Sequence, residues 1–288
     1  MTFSIVAYEP AEAAWGVAVA SKFLAAAAVV SWAQAGAGAV ATQASAKLPF
    51  GPRGLKHMAQ GVSAGAVLAA LLREDDGGPH RQVGMVDALG GTAAHTGAGC
   101  LAWAGHRIGA GFTCQGNLLT GPDVLEAMET AFLSTEGELA DRLHAALLAG
   151  DRMGGDRRGR QSAGLLVVKA GGGYGGDNDR YLDLRVDDDP DPVLRLGGLL
   201  RAHHLFFGEA NPADRLPIDA ALAHELRSMC LRAGLTDRAP GGEWDDEARR
   251  DFERLAGAEN LEERWPAGDE SMIDGVALAY LRERFPAP

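Results

Sequence analysis

Three residues in this 288-residue chain could together supply an activated nucleophile and its oxyanion support: Thr2, Lys22 and Asn117. A threonine hydroxyl is a weak nucleophile and needs a base. If Met1 is removed, the free amine of Thr2 is such a base, because its pKa lies near neutrality and it sits on the same residue. Thr2 is small, which permits removal of Met1. Lys22, just past a run of apolar residues, would lower the nucleophile's pKa or hold a substrate carboxylate. Asn117 follows a strand and could donate to an oxyanion. Each has a plainer reading as well: a strand-forming threonine, a solvated lysine and a turn asparagine. Ser4 and Ser21 are fallback hydroxyls on the neighbouring strands.

A second group would bind substrate. Thr42 and Gln43 are small or amide-bearing polars in an otherwise buried strand and could face the developing oxyanion. Arg53, at a helix start, could hold an anionic group. His95 is a candidate acid or base, as is His106, though neither has a carboxylate nearby in sequence. Asp156, Arg157 and Arg160 lie in a Gly-rich basic loop that could take a carboxylate or phosphate. That loop lacks P-loop spacing, so no nucleotide is expected. Asp187-Asp188-Asp189 lacks the alternating spacing of a calcium loop. His203 and His204 point about 100° apart on a helix. Neither set suits a metal, and no cofactor is expected.

The elements that must position these residues begin with two strands, Phe3 to Tyr8 and Trp15 to Ser21, joined by a turn at Glu9-Pro10-Ala11-Glu12. Both are apolar on two faces, as buried strands are. A third strand is expected over Gly38 to Ala46. A helical region from Gly51 follows, broken at Gly61-Val62-Ser63 and stopped near Pro79. Arg81 to Asp87 and Gly91 to Gly97 read as a hairpin. Gly99 to Gly111 reads as loop, and Phe112 to Asn117 as a strand. Helices are expected at Asp123 to Ser134, with Thr120 or Gly121 as cap, and at Glu138 to Leu148, ended by Gly150. Two strands come next, Ser162 to Lys169 and an edge strand Arg180 to Val186, before a helix from Pro192. Runs of strands alternating with runs of helices favour antiparallel sheets with helical layers over a doubly wound parallel sheet.

The rest reads as helical, with segments over Ala220 to Ala233, from Asp246 behind an Asp245 cap, and from Asp274 to Arg284. From Glu209 onward there are 18 acidic and 10 basic residues, net −8, against net −4 before it. This shift places a domain boundary at 208/209, giving domains 1–208 and 209–288.

Composition narrows the function. A net charge of −12 argues against nucleic acid as a partner. The apolar run Phe23 to Trp32 is too short to cross a membrane. The N-terminus lacks the basic and apolar regions of a signal peptide, and three cysteines without CxxC spacing suit a reducing compartment, so a cytoplasmic location is expected. The Gly- and Ala-rich second and third strands suit either core packing or the interface of a homo-oligomer.

The segments FSIVA, GVAVASKF, GAVATQA, FGPRGL, HTG, WAGH, QGN, GGDRRGRQSAGLLVV and YLDLRVDD, in that order, resemble the family known as domain of unknown function 1028 (DUF1028). The resemblance covers roughly residues 1 to 200. That family is grouped with the N-terminal nucleophile hydrolases. The resemblance therefore implies a four-layered αββα sandwich, within the α+β class, and amide hydrolysis through an acyl-enzyme on Thr2. ENLEERW and IDGVALAYLRERF resemble a peptidoglycan-binding domain, which implies a small all-α domain after the sandwich.

Three functions follow from these readings. The first is an amidohydrolase acting on a small or peptide-like substrate. The second is a binding or scaffold protein that keeps the fold without catalysis. The third, a metal-dependent hydrolase, is the weakest, for want of a ligand cluster.

Overall fold

The computed structural model describes residues 2–208, 212–265 and 271–287. Met1 and Glu209, on which the loss of the initiator and the domain boundary turn, lie outside the described residues. The chain forms two compact units, Met1–Leu200 and Arg201–Pro288.

The first unit opens with β1 (Thr2–Glu9), β2 (Ala14–Ser21), α1 (Ala27–Val30), β3 (Ser31–Gln34) and β4 (Gly38–Ala44). Helices α2 (Phe50–Met58) and α3 (Ala64–Arg73) follow, then β5 (Arg81–Asp87), β6 (Thr92–Thr96), β7 (Gly105–Gly109) and β8 (Phe112–Asn117). The order continues with α4 (Asp123–Ser134), α5 (Leu139–Arg152), β9 (Ser162–Lys169) and β10 (Arg180–Val186), before α6 (Pro192–Phe207).

The strands form two antiparallel sheets, β10-β9-β2-β1-β8-β7 and β3-β4-β5-β6. The period-2 alternation of β1 divides its residues between two environments. Phe3, Ile5 and Ala7 pack with Leu125, Met128 and Leu143 of α4 and α5. Val6, on the other face, packs with Val17, Val19, Ala39, Ala41 and Val86, so the two sheets share a core there. The far face of the smaller sheet packs Val40, Val83 and Met85 against Phe50, Leu55 and Leu71 of α2 and α3.

Gly84 marks a close approach between the sheets. A Cβ there would run into the Gln115 side-chain amide and Thr113 Oγ1 of β8. Gly84→Ala is expected to destabilise the chain by about 1–3 kcal/mol through overpacking. A urea titration that leaves the midpoint unmoved would count against this packing.

Two strands of the first unit escape the sequence reading. β7 lies inside the stretch Gly99 to Gly111 read as loop; it is a sheet edge with His106, Arg107 and Ile108 exposed, so it shows no apolar alternation. β3 is only four residues long and follows α1 directly. Helix α5 passes through Gly150, the expected stop, and the glycine serves close packing there, since a Cβ would press on Met128 and Phe3. No side chain caps α4, and Pro122 takes the cap position expected of Thr120 or Gly121.

In the second unit, α7 (Ala220–Arg232), α8 (Asp246–Ala258) and α9 (Gly275–Arg284) give the helical content expected. Each is capped by an aspartate: Asp219, Asp245 and Asp274 accept from Leu222, Ala248 and Ala277 N–H at 2.8, 2.8 and 2.9 Å. Their core gathers Leu226, Phe252, Leu255, Leu278 and Leu281. The unit is not purely helical. Antiparallel strands β11 (Arg215–Pro217) and β12 (Met272–Asp274) pair within it, at three residues each too short to show a period.

Candidate active site

The β-sheet register gathers the candidate residues. Thr2 on β1 lies opposite Asn117 on β8, and Ser21 on β2 lies opposite Ser162 on β9. Thr2 Oγ1 and Ser21 Oγ share a hydrogen bond of 3.2 Å. Asn117, Thr2, Ser21 and Ser162 therefore form one polar row across four adjacent strands, and all four are buried.

A second polar row faces it from the smaller sheet. Gln43, Gln82 and Thr96 are register partners across β4, β5 and β6. Gln82 Oε1 accepts from Gln43 Nε2 and from Asn117 Nδ2, both at 2.8 Å. Gln82 Nε2 donates to Gly116 O at 2.7 Å, and to Gly105 O and Thr96 Oγ1 at 3.0 Å. Gln43 Nε2 also reaches Thr2 O and Gln115 O, each at 3.3 Å. Ser4 Oγ closes the network, donating to Gln43 Oε1 and accepting from Gln115 Nε2, both at 2.7 Å. Buried amides that satisfy one another in this way hold a single arrangement.

The loop after α5 covers the row's other end. Asp156 Oδ2 accepts the Lys22 backbone N–H at 2.7 Å, and Oδ1 accepts that of Arg158 at 2.9 Å. Lys22 Nζ donates to Arg160 O at 3.1 Å. Arg160 pairs through Nε with Asp151 at 2.8 Å and through Nη1 with Asp191 at 3.0 Å. The hydrogen bond that Arg160 donates to Asp151 holds its guanidinium still more firmly protonated. Ser162 Oγ donates to Phe23 O at 2.6 Å and accepts from Ala26 N–H at 3.0 Å. A cavity of about 260 Å³ opens here. Its polar lining comes from Ser21, Asp151, Asp156, Arg160 and Ser162.

Of the residues singled out from sequence, Thr2, Asn117 and Gln43 come together directly. Lys22, Asp156 and Arg160 join them at the loop end, Lys22 by its backbone and by an ammonium that holds the loop. The others lie elsewhere. Thr42 faces away from the network and donates to Lys47 O at 3.4 Å. Arg53 is exposed and paired with Glu74. His95 sits opposite Val83, with Nε2 2.9 Å from Gly78 O. His106 Nδ1 contacts Thr96 Oγ1 at 2.9 Å, and although the residue is exposed overall, partial desolvation of its ring, then its neighbour His95, holds its pKa below the usual histidine value. The aspartate run serves as loop ties, such as Gln161 Nε2 to Asp188 Oδ1 at 3.1 Å. Among the described residues no cluster could hold a metal ion.

Gln82, Ser162 and Asp151 had no sequence signal of their own. Gln82 is one polar residue in RQVGMVD, and only the strand register sets it between Gln43 and Asn117.

The thiols do not compete as nucleophiles. Burial pushes Cys100 and Cys114 up, and pushes Cys230 up to about 12. Iodoacetamide at pH 8 is expected to leave Cys114 and Cys230 unmodified in the folded chain and to alkylate both in urea. Mass spectrometry reads the result, and rapid alkylation of either in the folded state would contradict their burial.

Residues 2–196 match the family model described as "Family of unknown function (DUF1028)". This chain belongs to the DUF1028 family. The structure of protein SPO2555 from Silicibacter pomeroyi, a DUF1028 protein, is similar at 30% identity and a TM-score of 0.64, covering 72% of this chain and 91% of that one. Residues 206–281 match a second model, described as "Putative peptidoglycan binding domain". No curated protein matches this DUF1028 chain. None of the helices, among the described residues, is long and apolar enough to cross a membrane.

Proposed function

We propose that the first unit is an N-terminal nucleophile amidohydrolase on a four-layered αββα frame. In this reading the hydrolase domain runs over residues 1–208, eight residues past the end of that unit at Leu200, and 209–288 form a separate binding domain. The observation that carries the reading is the Thr2 hydroxyl, buried at the start of β1, 3.2 Å from Ser21 Oγ and opposite Asn117. The helix faces outside the paired sheets agree with such a frame.

In this reading Met1 is removed and the Thr2 α-amine takes the Oγ1 proton. Oγ1 bonds to the substrate carbonyl carbon, and the carbonyl electrons move to oxygen. An amide nitrogen carries two hydrogens. One of those on Asn117 Nδ2 goes to Gln82, and the other meets the oxyanion. The ammonium then protonates the leaving nitrogen as the C–N bond breaks, leaving an ester on Thr2. Water, deprotonated by the same amine, attacks that ester and releases a carboxylic acid. Gln43 holds the Thr2 carbonyl in place, and Lys22 holds the 156–161 loop. The substrate is a small or peptide-like amide and the chemistry needs no metal or cofactor. Three free cysteines suit a cytoplasmic setting.

A β-lactone probe tests the mechanism. Labelling that maps to Thr2, and vanishes in Thr2→Ala, supports it; labelling that persists in Thr2→Ala sinks it. A second reading rests on the match of residues 206–281, in which the C-terminal unit holds a peptidoglycan-like polymer. Co-sedimentation of the full chain with purified peptidoglycan decides that reading, with recovery in the supernatant alone counting against it.

A further inference from the structure

The cavity that Ser21 lines, one hydrogen bond from Thr2, has a size and a charge pattern that select a guest. Its volume of about 260 Å³ is below the ~300–1,000 Å³ of pockets that enclose whole drug-sized ligands. It suits one side-chain-sized group. Phe3, Ala20, Pro190, Pro192 and Val193 form its apolar wall. Ser21 connects it to the reaction centre, lining the cavity while its hydroxyl lies 3.2 Å from Thr2 Oγ1.

The charges around it are already matched. Asp156 is bound by Arg158, and Asp151 and Asp191 are both bound by Arg160. The Lys22 ammonium lies on the Arg160 carbonyl. The charged lining is Asp151, Asp156 and Arg160, so an anionic guest would meet two carboxylates, and a cationic guest would meet Arg160 and carboxylates already paired to arginine. Charge therefore disfavours both. A guanidinium has five N–H donors. Asp151 and Asp191 engage Nε and Nη1 of Arg160, and neither engages Nη2. A neutral carbonyl oxygen could accept from Nη2 without repulsion from either sign. The Ser162 hydroxyl is held by Phe23 O and Ala26 N–H, which leaves Arg160 as the polar anchor.

We infer that this cavity is the side-chain subsite of the Thr2 centre and takes a short neutral polar group of the carboxamide class, anchored by Arg160 Nη2. The inference rests on the proposed role of Thr2, so its test separates the two. Calorimetry on the full-length Thr2→Ala chain measures binding of N-acetylglutamine amide and of its glutamate, lysine and leucine counterparts. The glutamine compound is expected to bind about tenfold tighter than the others or better. Arg160→Met is expected to reduce that preference to about twofold or less, and Arg160→Lys, which keeps the charge without the fork, to weaken it. Equal or tighter binding of any counterpart, or no binding of the glutamine compound, overturns the inference, whether or not the Arg160 variants fold. In the unsubstituted chain, saturating glutamine compound is expected to slow β-lactone labelling of Thr2. Unchanged labelling would sever the cavity from the Thr2 centre. A chain whose Thr2 is never labelled defeats the hydrolase reading itself, while the calorimetry still decides what the cavity holds.

Discussion

Thr2→Ala is expected to lower kcat/KM by about 10³-fold or more for any amide the unsubstituted chain hydrolyses. The loss follows from removing the attacking oxygen, for which no thiol substitutes, since burial raises the pKa of all three. Fold stability changes little. The hydrogen bond to Ser21 that the substitution deletes is worth about 1 kcal/mol. Thr2→Ser restores the hydroxyl and is expected to recover most of the rate. The pH profile carries a second signature. The α-amine must be neutral to take the Oγ1 proton, so the rate is expected to rise with pH through about 7.7–8.0, the ordinary range of that group. Activity in Thr2→Ala within about tenfold of the unsubstituted chain would remove Thr2 from the chemistry.

Gln82→Leu has the second largest expected effect, and it bears on stability. Its side-chain carbonyl serves two buried donors, Gln43 Nε2 and Asn117 Nδ2, and its amide serves Gly116 O, Gly105 O and Thr96 Oγ1. Leucine matches the volume but satisfies none of these. Asn117 Nδ2 is left without its acceptor at about 1–3 kcal/mol, Gln43 Nε2 keeps only its 3.3 Å contacts with Thr2 O and Gln115 O, and three acceptors lose the amide, for a total loss of about 3–4 kcal/mol. For a unit of this size the melting temperature is expected to fall by roughly 10 °C. A fall of under about 2 °C would show that the facing rows do not tie the sheets together. Gln82→Glu offers no rescue, because it keeps the acceptor but turns the donor end towards Gly116 O into a buried carboxylate.

Much of the frame was legible because its signals are local. Two-sided apolar runs mark β1, β2 and β9, and an aspartate at Asp245 marks the start of α8. The exposed edge strand β7 and the three-residue strands β11 and β12 carry no such pattern. The site was legible in part for the same reason. Thr2, Gln43 and Asn117 stand out as polar residues in or beside apolar strands. Gln82 and Ser162 matter through cross-strand and cross-sheet partners 14 to 139 residues away, and spacing along the chain cannot show that. Arg53 and His95 illustrate the reverse. Their residue types suit chemistry, but pairing with Glu74 and a contact with Gly78 O give them structural work elsewhere.

The most direct test of the central claim is the mass of the N-terminal peptide of the purified full-length chain, before and after treatment with a β-lactone probe. The account predicts a peptide that begins at Thr2 and gains one probe mass on that residue. A peptide that retains Met1 and gains no mass would contradict it.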